Sequence, residues 1–256
     1  MNPPRIFDAG HYERLNTSRG AVVSGLLSQV KKSTNLETAV DVGCGLGFFS
    51  NHLQDLGLQV TGVDGRLENA QEASKRFPSI KFQQCDAEDW SLRQLGKFDL
   101  VFCFGLLYHL QNPLLTISHL HAMSNKLLLV EGVIFPGNDP VMGLVDEGAT
   151  EDQGLEHFAF YPTETCLIKM LYRVGFPYVY EFAVMPDHPE YLKSATMPKI
   201  RTMLAASFER LHSEYIQTVP EPQMDVKPWD PASAAAYLAQ QKSGTSFLKK
   251  LKLSKS

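Results

Sequence analysis

One stretch constrains this chain more than any other: Val40-Asp41-Val42-Gly43-Cys44-Gly45-Leu46-Gly47-Phe48-Phe49. A short apolar run stops at three glycines set at alternate positions, and a helical run follows. Glycine reaches positive φ and lets a ligand come against the backbone. The first turn of a helix offers unpaired N–H groups. A strand, turn and helix of this kind belong at the carboxyl edge of a parallel sheet, where nucleotide-type ligands sit. The bare alternative is a tight turn with no ligand. A dinucleotide fingerprint needs a third glycine where this chain has Phe48, and no phosphate-binding P-loop sequence occurs.

The pattern around this turn predicts a repeated strand–helix alternation. Strands are expected at 38–42, 59–64, 80–84, 98–104 and 126–131, and helices at 48–56, 67–77 and 113–123, with a short helix in 86–95. Strands separated by helices of this length imply an α/β fold with a mostly parallel sheet covered on both faces. Residues 1–37 are read as a helical entry segment capped at Thr17 or Ser18. Residues 135–162, rich in glycine, proline and acids, are expected as an irregular substrate loop or lid. A helix at 163–174 and strands at 177–184 and 199–206 complete a domain over 38–207. Residues 208–256 form an extension ending in a basic tail.

Acids recur at strand ends. Asp64, before Gly65 and Arg66, suits a pair of ribose hydroxyls. Asp86 and the Ala87 N–H suit the donor and acceptor edge of an adenine, although Asp86 also suits a helix cap. With these residues in view, the chain resembles the class I S-adenosylmethionine-dependent methyltransferases. The stretches 41–47, Val63-Asp64, Cys85-Asp86-Ala87, and Phe98-Asp99-Leu100-Val101 followed by Gly105-Leu106-Leu107-Tyr108-His109-Leu110 match that family's four motifs.

The resemblance implies a Rossmann-like seven-stranded sheet with its last strand, 199–206, inserted antiparallel. It implies S-adenosyl-L-methionine as cofactor, with Asp41, Gly43, Cys44, Gly45 and Gly47 at its methionine part. Asp64, Gly65 and Arg66 fall at the ribose, Asp86 and Ala87 at the adenine, and Phe104 and Gly105 beside the sulfonium. The Leu-Tyr-His-Leu run is shared with tRNA wobble-uridine modifiers and with many sugar and small-molecule methyltransferases.

His109 is the candidate base for an alcohol or phenol acceptor, with packing against the next helix as the plain alternative. Tyr108, Glu131, His157 and Tyr161 are candidates for acceptor contact, while His119 and His121 are expected at the surface. The expected activity is O-methylation of a small metabolite, glycan or natural-product intermediate. A tRNA-modifying enzyme and a non-catalytic cofactor-binding protein stand beside it.

Composition bounds the rest. Across 256 residues, 44% are hydrophobic and the net charge is -4, which gives no general attraction to nucleic acid. Four cysteines without a C-x-x-C pair point to reduced thiols in the cytoplasm and to no structural metal. No acid spacing matches a calcium loop, and no apolar run reaches the roughly 18 residues of a membrane span.

Overall fold

The computed structural model describes residues 5–148, 150, 152–192, 198–223 and 230–244. The chain divides into two compact units, Met1–Pro222 and Gln223–Ser256.

In the first unit, α1 (Gly10–Thr34) is longer than the sequence pattern implies. Leu15, Val22, Val23, Leu26, Leu27 and Val30 recur at helical spacing and form its buried stripe. Thr17 and Ser18 lie inside this helix rather than capping it. The Ser18 hydroxyl bonds back to the Leu15 carbonyl at 2.8 Å, an internal use open to serine in a helix. Asn35 ends α1 in the left-handed region at φ 50°.

The alternation then follows: β1 (Thr38–Val42), α2 (Phe48–Asp55), β2 (Gln59–Asp64), α3 (Leu67–Arg76), β3 (Lys81–Gln84) and β4 (Phe98–Phe104). Next come α4 (Pro113–Met123), β5 (Ser124–Val133), β6 (Met142–Asp146), β7 (Phe158–Pro162), α5 (Glu164–Val174), β8 (Tyr178–Phe182), β9 (Arg201–Ser207) and β10 (Ile216–Thr218). Thr163 caps α5 through its side chain, and Asn112 caps α4 in the same way. The short helix expected in 86–95 is instead a 3-10 turn at Trp90–Leu95, capped by Asp89.

The main sheet runs β10-β8-β9-β5-β4-β1-β2-β3. β1 through β5 are parallel, and β9 is antiparallel to both β5 and β8. The inserted antiparallel strand is therefore where the resemblance puts it. The sheet has eight strands rather than seven, because Ile216–Thr218 adds an edge strand against β8. Those three residues come from the segment after 207 that its composition sets apart.

The period of two along a strand builds a core on each face. Leu100, Phe102 and Phe104 of β4 join Leu127, Leu129, Met203 and Ala205 under α1 and α2. Val101 and Cys103 join Leu128, Val130, Leu204 and Ala206 under α4 and α5.

Residues 135–162 are not irregular throughout: β6 and β7 form an antiparallel hairpin, with Leu144 opposite Phe160. Its glycine at 143 reads as a loop signal but serves packing, since a Cβ there would lie 2.8 Å from the Phe135 ring.

In the second unit, α6 (Pro231–Gly244) starts with Pro231 in its first turn and with the Asp230 carboxylate accepting from Ser233. The basic tail at 245–256 lies outside the described residues. No described helix is long and apolar enough to cross a membrane.

Candidate functional site

The carboxyl ends of β1, β2, β3 and β4 open into two adjoining cavities of about 370 and 100 Å³. Both are bounded by Gly43, Gly45, Gly105, His109 and Asp152. The glycine turn is held from below: the N–H groups of Gly43 and Cys44 donate to the Val63 carbonyl at 2.8 and 2.9 Å. Gly47 has φ 88°, and a Cβ there would press on the Phe77 and Phe82 rings at 2.9 and 3.0 Å. Conformation and space thus both demand glycine.

Two carboxylates sit under this turn. Asp41 is buried and accepts from the Ser50 hydroxyl at 2.6 Å. Burial, with the Asp64 charge nearby, pushes it up to about 7 despite that bond. Asp64 accepts from the Gly45 N–H at 2.9 Å on one oxygen, and from the Arg66 N–H at 2.9 Å and the Asn69 amide at 3.2 Å on the other. Burial also raises Asp64 above the ordinary carboxylate range, against those three bonds. One carboxylate therefore ties the end of β2 to the middle of the glycine turn.

The smaller cavity is lined by Asp64, Gly65, Arg66, Asp86 and Ala87 together. Asp86 is exposed and makes a local turn, its carboxylate accepting the Glu88 N–H at 2.9 Å. The larger cavity takes Cys44, Gly105 and Phe104 at its floor, with Phe104 stacked on Phe102 at 3.9 Å between ring centres. Tyr108 and His109 follow on a 3-10 turn, their rings 4.2 Å apart. The structure thus brings every residue named for the cofactor except Asp41 and Gly47 to a cavity wall. Asp41 and Gly47 support the turn from behind.

The acceptor candidates divide. Tyr108 lines the larger cavity. Glu131 does not face it, because its side chain is fully buried and clamped by Arg19 at 3.0 Å, Arg201 at 3.3 Å and the Tyr191 hydroxyl at 2.5 Å. His157 is exposed and lines neither cavity. Tyr161 lies behind Tyr108, with ring centres 5.6 Å apart, and burial pushes its hydroxyl up to about 12. His119 is buried rather than at the surface, bonded to the Ala87 carbonyl at 3.3 Å, and His121 is half-buried.

Several contacts around the cavities carry no signal in the sequence. Tyr12 from α1 donates to Asp152 at 2.7 Å across the larger cavity. Arg66 donates to the Gly154 carbonyl at 2.9 Å, and Glu147 bonds His109 at 2.7 Å. These contacts draw the tip of the β6–β7 hairpin over the cleft. The pairs are far apart in sequence, so no local spacing announces them. No cluster of His, Cys, Asp and Glu able to hold a metal occurs among the described residues.

A family model described as a methyltransferase domain matches residues 40–125, from β1 to the start of β5. Over those residues the chain matches a methyltransferase domain. Two similar curated proteins are ubiquinone biosynthesis O-methyltransferases. That of Colwellia psychrerythraea is 38% identical over 29% of this chain and 32% of its own length. That of Actinobacillus pleuropneumoniae is 35% identical over 38% of this chain and 43% of its own. The chain thus spans less than half of the relatives it matches.

Among solved structures, the N-terminal domain of EvdMO1, determined in the presence of SAH and D-fucose, has a TM-score of 0.60. It is 19% identical and covers 78% of this chain and 84% of that one. The magnesium protoporphyrin IX methyltransferase of Synechocystis, with bound SAM, has a TM-score of 0.54 at 19% identity, covering 80% and 88%. The first unit therefore shares the Rossmann-like fold of these structures, beyond the residues that the family model matches.

Proposed function

We propose that this protein binds S-adenosyl-L-methionine in the two adjoining cavities and methylates a hydroxyl of a small acceptor. The observation that carries the reading is Asp64, bonded to Gly45 at the glycine turn while lining the smaller cavity beside Asp86 and Ala87. The donor set fits this cofactor. Carboxylates at successive strand ends suit ribose hydroxyls and an exocyclic amine, and a negative wall suits a sulfonium. When bound, the cofactor supplies a methyl group already activated for displacement.

The chain's own part is to align the acceptor, keep water out and take its proton. Phe7, Phe48, Phe49 and Phe104 give the larger cavity an apolar wall, and Tyr108, Tyr12 and Arg201 add polar handles. His109, which bounds both cavities, takes the proton. We place the protein in the cytoplasm, where the free thiols Cys44, Cys85, Cys103 and Cys166 stay reduced.

Calorimetric titration with S-adenosylmethionine, S-adenosylhomocysteine and NAD tests the cofactor. Binding of NAD alone would refute the reading. Asp64→Ala is expected to weaken S-adenosylmethionine binding by about 1.5–3 kcal/mol, the worth of charge-assisted hydrogen bonds. An unchanged affinity means that the ribose lies elsewhere. The acceptor is sought by turnover over catechols, hydroxybenzoates and free sugars, the last included because the neighbour above was solved with D-fucose.

Asp41 makes that binding depend on pH. Its folded value, about 7, lies above the ordinary 3.8, so the free protein holds a proton there that an unfolded chain would release. Its contribution to stability is full below about 4 and is lost as pH rises toward 7. A cationic cofactor favours the ionised carboxylate, so binding expels the proton. Affinity is then expected to rise about tenfold between pH 6 and pH 8, with proton release visible as a buffer-dependent heat. A flat profile with no proton release would remove Asp41 from this role.

A further inference from the structure

We propose that Glu147 is the positioning residue that makes His109 a base, by holding its Nδ1–H and so leaving Nε2 unprotonated toward the acceptor. The inference rests on the proposed function, in which His109 takes the acceptor's proton.

The geometry is specific. Glu147 Oε1 lies 2.7 Å from His109 Nδ1, and the two side chains are 1% and 11% exposed. The second carboxylate oxygen, Oε2, accepts the Gly154 N–H at 2.9 Å, so the carboxylate plane is fixed at both ends. Gly154 is in turn anchored, its carbonyl accepting from Arg66 at 2.9 Å. Only glycine fits there: a Cβ at 154 would lie 2.4 Å from the His109 carbonyl oxygen and 2.9 Å from Glu147 Oε2. The loop is therefore built to seat this carboxylate against this imidazole.

The chemistry follows from donor counting. Burial opposes ionisation of Glu147, but the hydrogen bonds from His109 and the Gly154 N–H hold its carboxyl below the ordinary range. An ionised carboxylate only accepts, so the ring nitrogen facing it must carry the hydrogen. In a neutral imidazole the other nitrogen, Nε2, is then the bare one. A neighbour that bonds one ring nitrogen fixes the tautomer and orientation of the ring. Glu147 lies 38 residues from His109 on the hairpin, so the base is correctly set only while this loop lies over the cleft. Among the described residues, Tyr161 and Asp152 also interact with Glu147.

The test needs no acceptor. In ¹⁵N-labelled protein, long-range ¹⁵N–¹H correlations of the histidine ring report its tautomer at a pH where the ring is neutral. The expected result is Nδ1–H for His109 in the wild type, and a shift to Nε2–H in Glu147→Gln. Once an acceptor is found, Glu147→Gln is expected to lower kcat by about 10–100-fold with the KM for S-adenosylmethionine unchanged, and Glu147→Asp to recover part of it. A wild-type ring in the Nε2–H form would overturn the proposal, as would a Glu147→Gln variant that keeps both tautomer and kcat. Should Glu147→Gln fail to fold, the wild-type tautomer alone decides. The failures are distinguishable: His109→Ala with full turnover refutes the base, whereas the tautomer reports on Glu147 regardless.

Discussion

His109→Ala is expected to lower kcat by about 10²–10⁴-fold, the range in which a positioned acid–base group contributes, while leaving S-adenosylmethionine affinity nearly unchanged. The expectation comes from where the ring sits. His109 follows the central strand β4, and its N–H donates to the Leu106 carbonyl at 2.8 Å, closing a tight turn. The ring bounds both cavities at their junction, where a transferring methyl would lie between donor and acceptor. The wall proposed for the cofactor is tied together by other residues: Asp64, Arg66 and the glycine turn. Removing the imidazole therefore removes a proton acceptor without dismantling that wall. Steady-state kinetics on an acceptor found in the turnover screen check the loss. Imidazole added to the alanine variant is expected to restore part of the rate by occupying the vacated space. Unchanged turnover would mean that the acceptor reacts as an anion or that another group takes the proton.

What the sequence shows of this fold depends on how local the cause is. The bounds of β1, β2, β4 and α4 coincide with the expected ones, because buried parallel strands are continuous apolar runs ended by glycine or acid, and α4 opens with a capping Asn and a proline. The glycine turn and the two strand-end acids behind it are equally local, and the cavity collects them. The hairpin β6–β7 was hidden because its prolines and glycines resemble loop composition, although most fall outside the two strands. Glu147 was one acid among several in that stretch, and only the folded hairpin sets it against His109. Glu131 shows the reverse error. Its place at the end of a strand beside the site suggested acceptor contact, but α1 and β9 supply arginines that enclose it, and no spacing in the chain predicts those partners.

Glu131→Ala is expected to destabilise the domain by about 3–5 kcal/mol, the usual result of leaving buried charges without their counterion. One oxygen, Oε1, serves Arg19, Arg201 and Tyr191 at once, while Oε2 is buried with no partner among the described residues. Arg19 is 4% exposed, and its remaining bonds go to Tyr191 at 2.8 Å and Asn16 at 3.0 Å. Without Glu131, Arg19 has no neutralising carboxylate, while Arg201 keeps the carboxylate of Glu190. The loss falls mainly on Arg19 and should appear as a melting temperature lower by roughly 6–20 °C for a domain of this size. The cause can be separated from simple cavity formation by a double-variant cycle. Arg19→Met alone is expected to cost stability, but Arg19→Met with Glu131→Leu should recover much of the Glu131→Ala loss, since replacing both buried partners by apolar groups is often near neutral. If Glu131→Ala stays within about 1 kcal/mol of the wild type, the network contributes little to stability. Its role would then be to place Arg201, whose guanidinium stands over the Tyr108 ring at 5.5 Å in the wall of the larger cavity.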